Sequence, residues 1–101
     1  MLISLDYDST YTLDPGFWNQ FIYRAHKVGH QVICVTLRTP TEAERINIGI
    51  PIYCTSREAK LVYMMNQGIS PDVWIDDCPV NIVEDHPKRD YILTKGGNHV
   101  S

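Results

Sequence analysis

No stretch of this chain approaches the roughly 20 apolar residues that a membrane-spanning helix needs, and there is no Cys-x-x-Cys or paired Cys/His spacing. The first absence excludes a helical membrane protein. The second excludes the common zinc modules. It leaves Cys34, Cys54 and Cys78, an odd number, to be read as three buried thiols in a reducing cytosol. Repeats, linkers and low-complexity runs are also missing, so nothing divides the chain into separate domains. A basic N-terminal region leading into an apolar stretch is absent, so no signal peptide is expected and the chain reads as cytoplasmic. Basic charge is short as well. Nine Lys and Arg face twelve Asp and Glu, for a net charge of −3, without the basic excess of a dedicated nucleic-acid binder.

What is present suits one globular domain. The chain has 101 residues, 44% hydrophobic and 21% charged, enough to build a core without disulfide or metal staples. Short apolar runs alternate with helical patterns. Leu2–Leu5 reads as a buried strand ending at Asp6. Asp14-Pro15 is an N-cap followed by proline at the first helical position. From there Phe17, Trp18, Phe21, Ile22, Ala25 and Val28 recur at helical spacing, with Gly29 as the stop. Val32–Val35 is a second strand, ending at Thr36. Thr39-Pro40-Thr41-Glu42 is a capping box that predicts a short helix.

Ile50–Tyr53 is a weaker third strand, broken by Pro51 and so placed at an edge. Thr55 and Glu58 offer another capping box. The helix that follows, about 56–67, carries Ala59, Val62, Tyr63 and Met65 and stops at Gly68. Val73–Ile75 is a fourth strand, ending at Asp76-Asp77. One or two helical turns fit Pro79–Glu84, and Tyr91–Leu93 is a possible fifth strand. Residues 94–101 read as a frayed tail after a core over 1–93. The expected fold is α/β: a single three-layer Rossmann-like domain, with a parallel sheet of four to five strands and helices on both faces.

In such sheets ligands bind outside the carboxyl ends of strands. Those ends carry Asp6 and Asp8, Thr36 and Arg38, and Asp76 and Asp77. Four carboxylates cannot crowd together ionised without a counter-charge. A hard divalent cation supplies one, and magnesium is content with a few oxygen ligands and water. Nearby Lys or Arg would hold a phosphate. Metal-assisted phosphoryl transfer is therefore one chemistry these residue types permit.

The order of the residues narrows the choice. Asp6-Tyr7-Asp8-Ser9-Thr10 follows a strand, Thr36 closes the next, Lys60 lies in a helical region, and Asp76-Asp77 closes the fourth strand. This resembles the haloacid dehalogenase superfamily over residues 1 to about 93, in its capless phosphatase form. The resemblance implies that Asp6 attacks phosphorus and becomes an aspartyl-phosphate, and that Asp8 protonates the leaving oxygen and then activates water. It implies Mg2+ held by Asp6, Asp8 (through its carbonyl), Asp76 and Asp77, with Asp76 direct and Asp77 through water. It gives Thr36 and Lys60 to the transferring phosphoryl group, with Arg57 the rival cation. Thr10, Arg38 and Tyr7 are read as substrate contacts.

Only Ser9–Asp14 and Ile46–Gly49 fall where such proteins insert a cap, so no cap domain is expected. An open pocket suits a bulky phosphorylated substrate, such as a nucleic-acid end or phosphoprotein as well as a small molecule, or a lid lent by a second copy in a homo-oligomer.

Blander readings stand beside these. Asp6 and Asp8 could form an Asx-turn, Asp77 could cap the helix at Pro79, and Arg38 could be a surface residue. The histidines His26, His30, His86 and His99 lack metal spacing and read as surface, and Lys88-Arg89 as a solvated loop. A signalling receiver also combines acids, Thr and Lys, but puts its acid pair first and its lysine last. A non-enzymatic or regulatory phosphate-binding module on the same fold is the alternative function. Without Asp6, Asp8, Asp76 and Asp77, eight acids would face nine bases, so the whole acid excess is assigned to one pocket.

Overall fold

Four short runs of apolar residues pair into one sheet in the computed structural model, which describes residues 1–92. The strands are β1 (Leu2–Leu5), β2 (Gln31–Thr36), β3 (Ile52–Cys54) and β4 (Val73–Ile75), in the order β3-β2-β1-β4. Every pairing is parallel, with Leu5 opposite both Cys34 and Ile75, and Thr36 opposite Cys54. This is an α/β fold. β3 lies at an edge, as Pro51 predicted, but begins only after it, at Ile52.

Parallel strands need crossovers. Helix α1 (Pro15–Lys27) links β1 to β2, and α2 (Lys60–Asn66) links β3 to β4. The chain lays β2 and β3 on one side of β1, then returns to place β4 on the other. The carboxyl ends of β1 and β4 therefore meet where the strand order reverses, the usual place for a ligand crevice in open sheets. The Asp6 amide extends the ladder by donating to the Ile75 carbonyl at 2.9 Å.

Successive strand residues point to opposite faces, and two clusters result. Ile3, Leu5, Val32 and Cys34 pack with Ile22 and Ala25 of α1 and with Ile48 and Ile50. Ile33 and Val35 pack with Met64 of α2, bordered by Leu2, Tyr53 and Trp74. Both helices stop at a glycine with positive φ, Gly29 at 93° and Gly68 at 74°. Each closes with the same paired bonds: His30 to Ala25 and Gly29 to His26, then Ile69 to Met64 and Gly68 to Met65. Asp14 caps α1 by accepting from the Phe17 amide at 3.2 Å.

Several expectations need correction. Phe17 and Val28 are exposed, and only Ile22 and Ala25 of α1 are fully buried. The Thr39/Glu42 capping box does form, with reciprocal bonds of 2.8 and 3.2 Å, but residues 40–45 make turns and no helix. The second capping box does not form. Ser56 (φ 52°) and Arg57 (φ 74°) are left-handed, which delays α2 to Lys60, and the Thr55 hydroxyl donates to the Glu58 carbonyl instead. The cap comes from a distance, as Asp85 accepts from the Ala59 amide at 2.7 Å.

The inward face of α2 is Lys60 and Met64, four residues apart, while Val62 and Met65 are exposed. After β4 comes α3 (Val80–Val83). Tyr91 and Ile92 are helical, with the Ile92 amide donating to Lys88, so they add no fifth strand. Leu93 and the tail expected over 94–101 lie outside the described residues. No helix among the described residues is long and apolar enough to cross a membrane.

Candidate functional site

At the junction of β1 and β4 the Lys60 side chain is only 2% exposed. Its ammonium bridges two carboxylates, reaching Asp6 Oδ1 at 2.7 Å and Asp76 Oδ2 at 2.6 Å. Parallel pairing puts Asp6 and Asp76 side by side, one residue beyond Leu5 and Ile75. The first turn of α2 drops Lys60 between them. Arg57, the rival cation, is directed elsewhere: it binds Glu42 through two bonds of 2.8 and 3.0 Å and the Leu37 carbonyl at 2.6 Å.

Thr10 is buried and bonds within the acidic cluster. Its hydroxyl lies 3.0 Å from Asp6 Oδ2 and 3.3 Å from Asp77 Oδ1, so it holds the two carboxylates in place. Asp76 spends its other oxygen on the Cys78 amide at 2.9 Å. No side chain caps α3, so Asp77 is not a helix cap. Asp6, Asp76 and Asp77 each present one oxygen to a common space, all three atoms within 4.8 Å of one another. Asp8 is not in that group. Its carboxylate turns to Arg38, with bonds of 3.0 and 2.7 Å, and Arg38 also rests over the Tyr7 ring and donates to the Glu42 carbonyl.

Thr36 is buried, with its hydroxyl accepting from the Arg38 amide at 3.2 Å. Tyr7 stacks on Tyr11 against the core. Neither lines the cavity at the strand ends, which measures about 200 Å3 and is walled by Asp6, Asp8, Lys60, Asp76 and Asp77. Ser9, Leu37, Cys78, Asn81 and His86 complete the wall, and none of these five was anticipated there. Cys34 alone of the three cysteines is fully buried, its thiol pushed up to about 12 chiefly by burial, with the Asp6 charge adding. A thiol that seldom ionises is no nucleophile.

No family model, curated protein or solved structure matches this chain. The geometry of the site carries the functional reading.

That geometry has a distinct electrostatic signature. Burial raises the Asp6 carboxyl from 3.8 to about 6; Lys60 pulls it back, while Asp76 and Asp77 push it up. One ammonium faces three carboxylates, leaving an excess of two negative charges that a divalent cation would match. The consequence for stability has a definite sign. A carboxyl raised in the folded state holds a proton that the unfolded chain has lost, so its contribution is full below 3.8 and disappears as pH climbs past 6.

Chelator-treated protein should therefore lose about 2 kcal/mol of unfolding free energy between pH 4.5 and 7. Glu42 works the other way, held at about 2 by Arg57 and the Thr39 amide, but it acts only at the acid end, below its ordinary 4.5. Urea titrations with EDTA and with magnesium at several pH values measure this. Magnesium should remove the loss by replacing the proton, and a flat profile in EDTA would contradict the assignment of Asp6.

Proposed function

We propose that this protein is a magnesium-dependent phosphatase of the haloacid dehalogenase type, working through an aspartyl-phosphate on Asp6. The supporting observation is the buried Lys60 ammonium clamped between Asp6 and Asp76 at 2.7 and 2.6 Å. A buried cation shared by two strand-end carboxylates neutralises charge where a phosphoryl group would arrive. On this reading the fold is a three-layer, Rossmann-like core with no cap, and the protein works in the cytoplasm.

Asp6, Asp76 and Asp77 offer three hard oxygen donors at metal-ligand spacing, a set that suits magnesium. Bound there, the ion would offset negative charge on the transferring group. The remaining chemistry falls to the chain. Lys60 and Thr10 fix the two Asp6 oxygens, so the nucleophile is oriented in advance. Burial makes Asp6 more basic than an ordinary carboxylate yet leaves it ionised at neutral pH. Its oxygen forms the bond to phosphorus as the ester oxygen leaves with a proton from Asp8. Water then attacks the aspartyl-phosphate, Asp8 takes the proton, and phosphate departs. Asp8 must leave Arg38 to do this.

That pair also favours a second reading. A module that binds phosphate without turning it over would keep Asp8 tied to Arg38, as it stands here. Phosphate release from p-nitrophenyl phosphate separates the two. Activity that requires magnesium and vanishes with EDTA supports the phosphatase. Binding of phosphate or beryllium fluoride without turnover supports the module.

A further inference from the structure

The Asp6 cavity adjoins a larger one of about 560 Å3, and Asp8, Leu37 and His86 line both. Arg38, Glu42, Arg57 and Lys88 form the rest of its wall. Its two carboxylates are already engaged, Asp8 at both oxygens by one edge of Arg38 and Glu42 at both oxygens by one edge of Arg57. The groups left over are donors. His86 accepts from the Lys88 amide through Nδ1 at 3.0 Å, so its Nε2 carries the proton. Each guanidinium keeps N–H groups beyond those its bonds use. The Lys88 ammonium has no ion-pair partner among the described residues.

The wall is also rigidly built. Arg57 is left-handed at φ 74°, pinned by its amide to Leu37 at 2.9 Å and by its carbonyl to the His86 amide at 2.9 Å. A cavity of this size exceeds the needs of one phosphate and lies in the range of whole-ligand sites.

We infer that this groove receives a second phosphate on the substrate, so the preferred substrate is a phosphomonoester whose leaving group carries another phosphate. This rests on Asp6 as the group that receives the first. The second phosphate can come from a small bisphosphate or from the backbone of a polynucleotide end; the chemistry is shared.

Calorimetry on Asp6→Asn protein with magnesium tests it without turnover, using adenosine 3′,5′-bisphosphate, adenosine 5′-monophosphate and a 5′-phosphorylated oligonucleotide. The bisphosphate should bind about tenfold more tightly than the monophosphate, the effect of one added charge-assisted hydrogen bond. Lys88→Glu should erase that difference and Lys88→Arg should keep it. Equal affinities, or a difference untouched by Lys88→Glu, overturn the inference. An oligonucleotide that binds more tightly than either nucleotide, with the steepest salt dependence, assigns the second phosphate to a polynucleotide. One that binds no better than the monophosphate assigns it to a small bisphosphate. Turnover of p-nitrophenyl phosphate by the unaltered protein is scored separately. Its absence with the Lys88-dependent difference intact removes the phosphatase alone, and its presence with equal affinities removes the groove alone.

Discussion

Asp6→Asn should lower magnesium-dependent phosphate release by about 10^4-fold or more while the protein stays folded. The amide matches the carboxylate in shape but cannot attack phosphorus. Lys60 keeps Asp76 at 2.6 Å, and the Thr10 hydroxyl keeps an oxygen to bond. Removing one of three crowded acids also relieves repulsion, because Asp6 is ionised above about 6 against the preference of its buried position. In EDTA at pH 7 the variant should therefore be at least as stable to urea as its parent. Steady-state rates and urea midpoints read the two effects independently. Undiminished turnover would show that water attacks directly, or that another residue is the nucleophile.

Lys60→Met is expected to do the reverse, damaging stability as well as rate. Methionine keeps much of the apolar stem but leaves Asp6 and Asp76 facing each other without their shared cation. Removing one partner of a buried ion pair costs about 3–5 kcal/mol, a large part of the 5–15 kcal/mol that holds a typical domain together. Urea unfolding should show the full loss at pH 7 without metal. The loss should shrink toward pH 5, where Asp6 takes up a proton, and should shrink again in excess magnesium. Turnover should fall by about 10^2–10^3-fold, as for loss of one donor to a developing negative charge. If the variant does not fold in EDTA, the magnesium titration still decides the matter. Recovery of the fold by magnesium supports a cation-neutralising role, and recovery by neither acid nor metal opposes it.

The acids of this site were legible because they stand directly after strands. Asp6 and Asp76-Asp77 are the first residues past β1 and β4, and any parallel pairing of those strands brings them together. Lys60 was named from its order in the chain, although the hydrophobic pattern pointed the wrong way. That pattern rested on Val62 and Met65 among others, whereas α2 turns Lys60 and Met64 to the sheet because two carboxylates wait there. The bonds from Thr10 to Asp6 and Asp77 were not legible, because they depend on a turn with Ser9 at φ 61°, which a serine does not announce.

His86 gave no usable signal. Its position comes from a backbone bond to Arg57, 29 residues earlier, and from a loop whose path no periodicity describes. Arg38 and Asp8 were each singled out, but not as a pair, since 30 residues separate them and only the adjacency of β1 and β2 unites them. The fifth strand failed for a plainer reason. Three apolar residues in a row have no period, and here the Lys88–Ile92 bond closes a helical turn.

The remote cap on α2 ties two distant parts of the chain to one fate. Asp85 holds the Ala59 amide, His86 holds the Arg57 carbonyl, and Arg89 holds Asp85 at 2.7 Å and approaches Glu58 at 3.9 Å. Lifting residues 85–89 away strips the first turn of α2 of its cap and loosens the residue that carries the buried ammonium. Peeling of the segment after α3 and opening of the acidic centre are one cooperative event with a single free energy. Amide exchange at Ala59 and His86 follows that shared free energy, well above what a short surface loop would show alone.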